Sequence, residues 1–97
     1  MKLKIFRKKT DSNGIIYTLS GEMNVYSSVK LKDLLLKELK SSAGITLDLT
    51  AVEEADTSAF QLLLFLKREA EIQKKSFYVT EMSTRLKSIF NLYKETI

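Results

Sequence analysis

One carboxylate followed by two hydroxyls, Asp56-Thr57-Ser58, stands at the mouth of the most apolar run of the chain, Ala59-Phe60-Gln61-Leu62-Leu63-Leu64. These groups lack the companions of an enzymatic nucleophile. The sequence holds no His and no Cys, which removes Ser-His-Asp and Cys-His arrangements, thiol chemistry, phosphohistidine relays and the usual general base near neutral pH. What a hydroxyl there can do is accept a phosphoryl group. Ser58 lies at the positive end of a predicted helix, where outward-pointing N–H groups tolerate an anion. A phosphate at Ser58 is a local and reversible change of charge on a surface. The same residues also fit a capping box, Ser58-Ala59-Phe60-Gln61, in which the hydroxyl serves the helix and contributes ~1 kcal/mol. The two roles coexist, because a kinase can use a capping hydroxyl.

Other chemistry finds little footing. The three glycines, Gly14, Gly21 and Gly44, precede no Lys-Ser/Thr pair, so no phosphate-cradling loop is expected. Glu53, Glu54 and Asp56 read as exposed turn residues and helix N-terminal charges rather than as a metal cluster. No cofactor and no intrinsic catalysis are expected. The net charge of +4 comes from 16 basic and 12 acidic residues, with Lys2, Lys4, Arg7, Lys8 and Lys9 clustered near the N-terminus. Only Phe6 accompanies them as an aromatic, which argues against nucleic acid; lysines on an edge strand instead deter unwanted strand pairing. No apolar run approaches the ~18 residues of a membrane span. The alternating N-terminus does not resemble a signal peptide. A cytoplasmic protein without membrane insertion is expected.

The elements that must position Asp56-Thr57-Ser58 follow from periodicity. Residues 1–97 fit one domain. Leu3 to Arg7 alternates as a strand, Asn13-Gly14 marks a hairpin, and Ile15 to Leu19 is a second strand, broken by Ser20 to Asn24. Ser27 or Ser28 caps a helix reaching about Lys40, with Leu31, Leu34, Leu35 and Leu39 on one face. Gly44 suits a left-handed helix stop. Ile45, Leu47 and Leu49 form a third strand, Ser58 to Lys74 a second helix, and Phe77 to Thr80 a fourth strand. Ser83 or Thr84 caps a third helix with Leu86, Ile89, Phe90 and Tyr93 in one stripe. This order predicts an α/β domain of about four strands and three helices. The first strand is antiparallel by its hairpin, and the others are parallel through right-handed crossovers. Function is expected at the rim where strand ends meet helix starts.

The second helix carries more apolar surface than docking on a sheet requires. Ala59, Leu62, Leu63, Leu66 and Ala70 make one face; Phe60, Leu64 and Phe65 lie off it. Either a neighbouring helix covers those three or a partner does. Phe60 and Leu64, just past Ser58, would place a contact patch beside the phosphate.

Leu19-Ser20-Gly21-Glu22-Met23-Asn24, Leu47-Asp48-Leu49-Thr50-Ala51-Val52 and Asp56-Thr57-Ser58-Ala59-Phe60-Gln61-Leu62-Leu63 together resemble the STAS domain (sulfate transporter and anti-sigma factor antagonist), in particular its short stand-alone bacterial members. Leu19-Ser20-Gly21-Glu22-Met23-Asn24 is similar to the family's L-x-G-E-L-D. Leu47-Asp48-Leu49-Thr50-Ala51-Val52 is similar to L-D-L-S-G-V. Asp56-Thr57-Ser58-Ala59-Phe60-Gln61-Leu62-Leu63 is similar to D-S-S-G-L-x-L-L and to D-T-A-G-L-Q-L-L. The resemblance implies a mixed sheet packed with helices. It also implies an anti-sigma factor antagonist: a phosphoprotein of signal transduction and transcription regulation that works by protein–protein interaction. In that branch the second hydroxyl, here Ser58, is phosphorylated by an anti-sigma factor/serine kinase and restored by a phosphatase. Thr57 is the second choice, and Asn24, Asp56, Thr57, Ser58, Phe60, Gln61 and Leu64 are the implied partner-binding residues. Ala59 stands where the family usually has Gly, and Asn24 where it has Asp. Other members resembling the D-T-x-x-L-Q-L-L form serve as a cytoplasmic subunit of a lipid-transport ABC transporter ATPase, or accompany chemotaxis kinases, with no switch. A monomer or weak dimer is expected.

Overall fold

The computed structural model describes residues 2–95 and 97. Its elements are β1 (Lys4–Lys9), β2 (Ile15–Met23), α1 (Val25–Ser41), β3 (Gly44–Ala55), α2 (Thr57–Gln73), β4 (Ser76–Met82) and α3 (Thr84–Leu92). The strands form one sheet in the order β1-β2-β3-β4. β1 pairs antiparallel with β2 through the turn at Asn13, whose φ is +65°; β2–β3 and β3–β4 are parallel. The mixed sheet and three helices expected from the sequence are therefore present.

Alternation on β2 sends Ile15, Tyr17, Leu19 and Met23 into the core, where they meet Ile45, Leu47, Leu49 and Val52 of β3. α1 adds Leu31, Leu35 and Leu39. α2 adds Ala59, Leu62, Leu63, Leu66 and Ala70, and α3 adds Leu86 and Phe90. Full burial of each larger aliphatic side chain is worth about 1.5–3 kcal/mol. Leu34 is an exception to the expected stripe: it is exposed, and Glu38 turns inward with Leu35 and Leu39.

Several boundaries differ from the sequence reading. β2 does not stop at Leu19 but continues to Met23. Gly21 keeps it going with φ +105°, because a Cβ there would collide with the carbonyl of Lys2. β3 runs on to Ala55, taking up extra residues relative to β2 between Asp48 and Ala51 and again between Val52 and Glu54. The acidic stretch expected as a turn is thus strand, with Glu53 and Glu54 exposed. Gly44 is not a left-handed stop. α1 ends with Ser42 in extended conformation, and Gly44 is needed where β3 passes tightly beside Ser76.

A polar cluster, buried at Tyr17 and Glu38 and open to solvent at Arg7, fastens the edge strand. Tyr17 Oη donates to Glu38 Oε1 at 2.5 Å, and Arg7 Nε donates to the same oxygen at 2.7 Å while its second nitrogen reaches Oε2 at 3.3 Å. The Arg7 guanidinium holds the Glu38 carboxyl below its ordinary value; burial, then the Glu38 hydrogen bond, pushes Tyr17 up to about 12. β1, β2 and α1 are pinned together at this point.

Candidate partner-docking site

Parallel strands separated by helices bring the starts of α1 and α2 to the same rim. Their N-caps are Asn24 and Asp56, both in extended conformation. This corrects two expectations. Asn24, not Ser27 or Ser28, caps α1. Its Oδ1 accepts from Tyr26 N at 3.0 Å and Ser27 N at 3.1 Å, while Ser27 Oγ accepts from Asn24 N at 3.0 Å. Asp56, not Ser58, caps α2; the box beginning at Ser58 does not form. A short acceptor side chain at the last extended residue reaches the next amides better than one already inside the helix.

Asp56 does more than cap. Oδ1 accepts from Ser58 N at 3.0 Å and also from the Ser58 hydroxyl, while Oδ2 accepts from Val25 N of α1 at 3.2 Å. One carboxylate therefore ties the starts of both helices, where two positive helix ends favour its charge. Asn24 Nδ2 reaches Glu22 at 3.3 Å, and Ser28 Oγ lies 3.4 Å from Ser58 Oγ. Thr57 is exposed, and Ser58 is half-buried.

Phe60 does not offer a contact patch. It is 7% exposed, edge-on to Phe90 at 4.9 Å between ring centroids and stacked on Tyr93 at 4.7 Å. α3 covers it, the neighbouring-helix alternative of the sequence reading. Leu64 is half-buried against the core, and Gln61 is exposed.

The open apolar surface next to Ser58 lies on the other flank of α2. A groove between α1 and α2, with a cavity volume of about 280 Å³, is lined by Val25, Ser28, Val29, Lys32, Ser58, Gln61, Leu62 and Phe65. Val25 and Val29 are 53% and 63% exposed, and neighbouring Tyr26 is 83% exposed. Lys32 Nζ closes the far end, 4.6 Å from the Phe65 ring centroid. Sequence reasoning named Gln61 and Ser58 here but missed Val25 and Val29. Their signal was available: apolar residues at i and i+4, displaced from the Leu31/Leu35/Leu39 stripe.

Asn24, Asp56, Thr57, Ser58 and Gln61 thus gather at one rim, whereas Phe60 turns away toward α3. Among the described residues no three carboxylates stand close enough to hold a metal ion. No helix there is long and apolar enough to cross a membrane.

Comparison with known proteins agrees with this architecture. A family model described as "Mlab, STAS domain" matches residues 6–94. No curated protein matches the sequence. Among solved structures, SpoIIAA, a Bacillus cell-fate determinant, in its phosphorylated form is 14% identical with a TM-score of 0.75, over 93% of this chain and 83% of its own. An RsbS variant of Moorella thermoacetica is 18% identical with a TM-score of 0.79, over 97% and 80%. A putative anti-sigma factor antagonist of Thermotoga maritima is 22% identical with a TM-score of 0.73, over 93% and 80%. At these identities the likeness is one of fold.

Proposed function

The chain belongs to the STAS-domain family, and on that premise we propose that it is a non-catalytic regulatory binding module of the anti-sigma factor antagonist type. Its partner is an anti-sigma factor/serine kinase that docks across the Asp56-Thr57-Ser58 rim and the α1–α2 groove. Phosphorylation of Ser58 by that kinase dissociates the pair, and a phosphatase restores it. The observation that carries this reading is the position of Ser58 Oγ. The hydroxyl is half-buried beside an open apolar groove, held by Asp56. A dianion there forces desolvation and like-charge repulsion on any partner seated in the groove. SpoIIAA, described in unphosphorylated and phosphorylated forms, shares the fold and supports the reading.

Incubation with the partner kinase and ATP, followed by phosphopeptide mapping, tests it. Label on Ser58 is expected, with Ser58→Ala permanently competent to bind and Ser58→Asp weakened. Absence of label from Ser58 together with equal binding by both variants contradicts it.

A second reading takes the same rim as a fixed joint to an ABC transporter ATPase subunit, with exposed Thr57 in contact and no switch. It is favoured by the matching family model's description as Mlab. Copurification with an ATPase subunit, unaffected by Ser58→Asp, distinguishes it.

A further inference from the structure

We infer that the Asp56 carboxylate couples the state of Ser58 to the first turn of α1, so that a phosphate on Ser58 releases the Val25 amide in the wall of the groove. This inference rests on Ser58 being the modified residue. Its basis is a three-way arrangement: Oδ1 is held by the amide and hydroxyl of Ser58, and Oδ2 is held by the amide of Val25, 31 residues earlier.

Phosphoryl transfer from a nucleoside triphosphate forms the Oγ–P bond and breaks the P–O bond to the departing nucleoside diphosphate. The hydroxyl proton leaves to the kinase's base. Oγ then has no hydrogen to donate to Asp56, and a dianion stands where that donor stood. Two anions at contact distance repel, and the carboxylate turns away. A carboxylate is planar and rigid, so Oδ1 cannot leave without carrying Oδ2. Val25 N loses its acceptor as a direct consequence.

On α2 the Ser58 amide loses Oδ1 and faces the phosphate instead; on α1 the release is confined to the Val25 amide. Tyr26 N and Ser27 N are bonded to Asn24 Oδ1, which Ser58 does not touch, so the capping box keeps α1 from fraying further. Val25 lines the groove beside Ser58. The phosphate therefore acts twice on the same surface: by its own charge, and by loosening a residue that a partner would contact.

The test installs phosphoserine at position 58 during synthesis and follows amide hydrogen exchange by NMR in the full chain. Val25 is expected to exchange about tenfold faster, the scale of one lost hydrogen bond to a charged acceptor. Tyr26, Ser27 and Leu86, the last bonded to Ser83 Oγ at 3.2 Å, should not change. Asp56→Asn keeps one oxygen for Ser58 but turns an amide nitrogen toward Val25. In that variant Val25 should already exchange fast and should not respond to phosphoserine. Ser58→Ala should leave Val25 slow. An unchanged Val25 in the phosphoprotein, or equal acceleration with Asp56→Asn in place, overturns the coupling. Should the phosphoprotein fail to fold, Ser58→Ala and Asp56→Asn decide alone, equal Val25 rates being the contrary result. Failure of a kinase to label Ser58 is a separate outcome: it removes the signalling function and leaves this measurement intact.

Discussion

The two ends of α1 carry two polar clusters built on opposite terms. At the C-terminal half, Glu38 is buried and its oxygens are occupied by Arg7 and Tyr17, which belong to two different strands. At the N-terminal end, about 20 Å away along the helix, Asp56 is exposed and shares its oxygens between two helix starts. The first cluster cannot change state without leaving a buried polar group unmet. The second can exchange one donor for another at the edge of solvent. Position, not residue type, makes one carboxylate a buried fastener and leaves the other open to solvent.

Substitutions should separate the two. Glu38→Ala leaves the Tyr17 hydroxyl buried without its acceptor and should destabilise by about 2–3 kcal/mol, read by urea denaturation, with partner affinity of the folded protein little changed. Asp56→Ala removes the α2 cap and should cost about 1–2 kcal/mol, while also altering binding. If the two losses prove equal in stability and in binding, the contrast between the clusters fails.

Solution pH sharpens the comparison. The Glu38 carboxyl is lowered in the fold by Arg7. Its contribution is therefore full above the ordinary carboxylate value and is lost as pH falls below that value through the lowered one. Tyr17 is raised from 10 to about 12, so its contribution is full below pH 10 and is lost as pH rises through 12. Glu38→Gln should flatten the acid limb of a stability–pH curve, and Tyr17→Phe the alkaline limb. Val29→Ser should have the smallest effect on stability, within about 0.5 kcal/mol, yet weaken partner binding. Calorimetric titration checks that split.

Much of this was legible in the sequence, and the parts that were not have definite causes. Leu31, Leu35 and Leu39 announce α1, and Ile15, Tyr17 and Leu19 announce β2, because their periods match the side they bury. Asn24 and Asp56 were obscured as caps by nearby serines, which have similar capping preference. The length of β3 was hidden because its bulges break the alternation that marks a strand. Phe60 was ambiguous for a different reason: its cover, Phe90 and Tyr93, lies some thirty residues later in the chain, and no local pattern encodes that contact. Ser58 itself lies at the rim where strand ends meet helix starts, as expected, and the open apolar surface beside it faces α1 rather than Phe60.

Titration of the partner kinase with unmodified protein and with protein carrying phosphoserine at position 58 decides whether Ser58 acts as a switch. Tight binding by the unmodified form and at least a tenfold loss with the phosphate present are expected. Equal affinity of the two forms would contradict the switch.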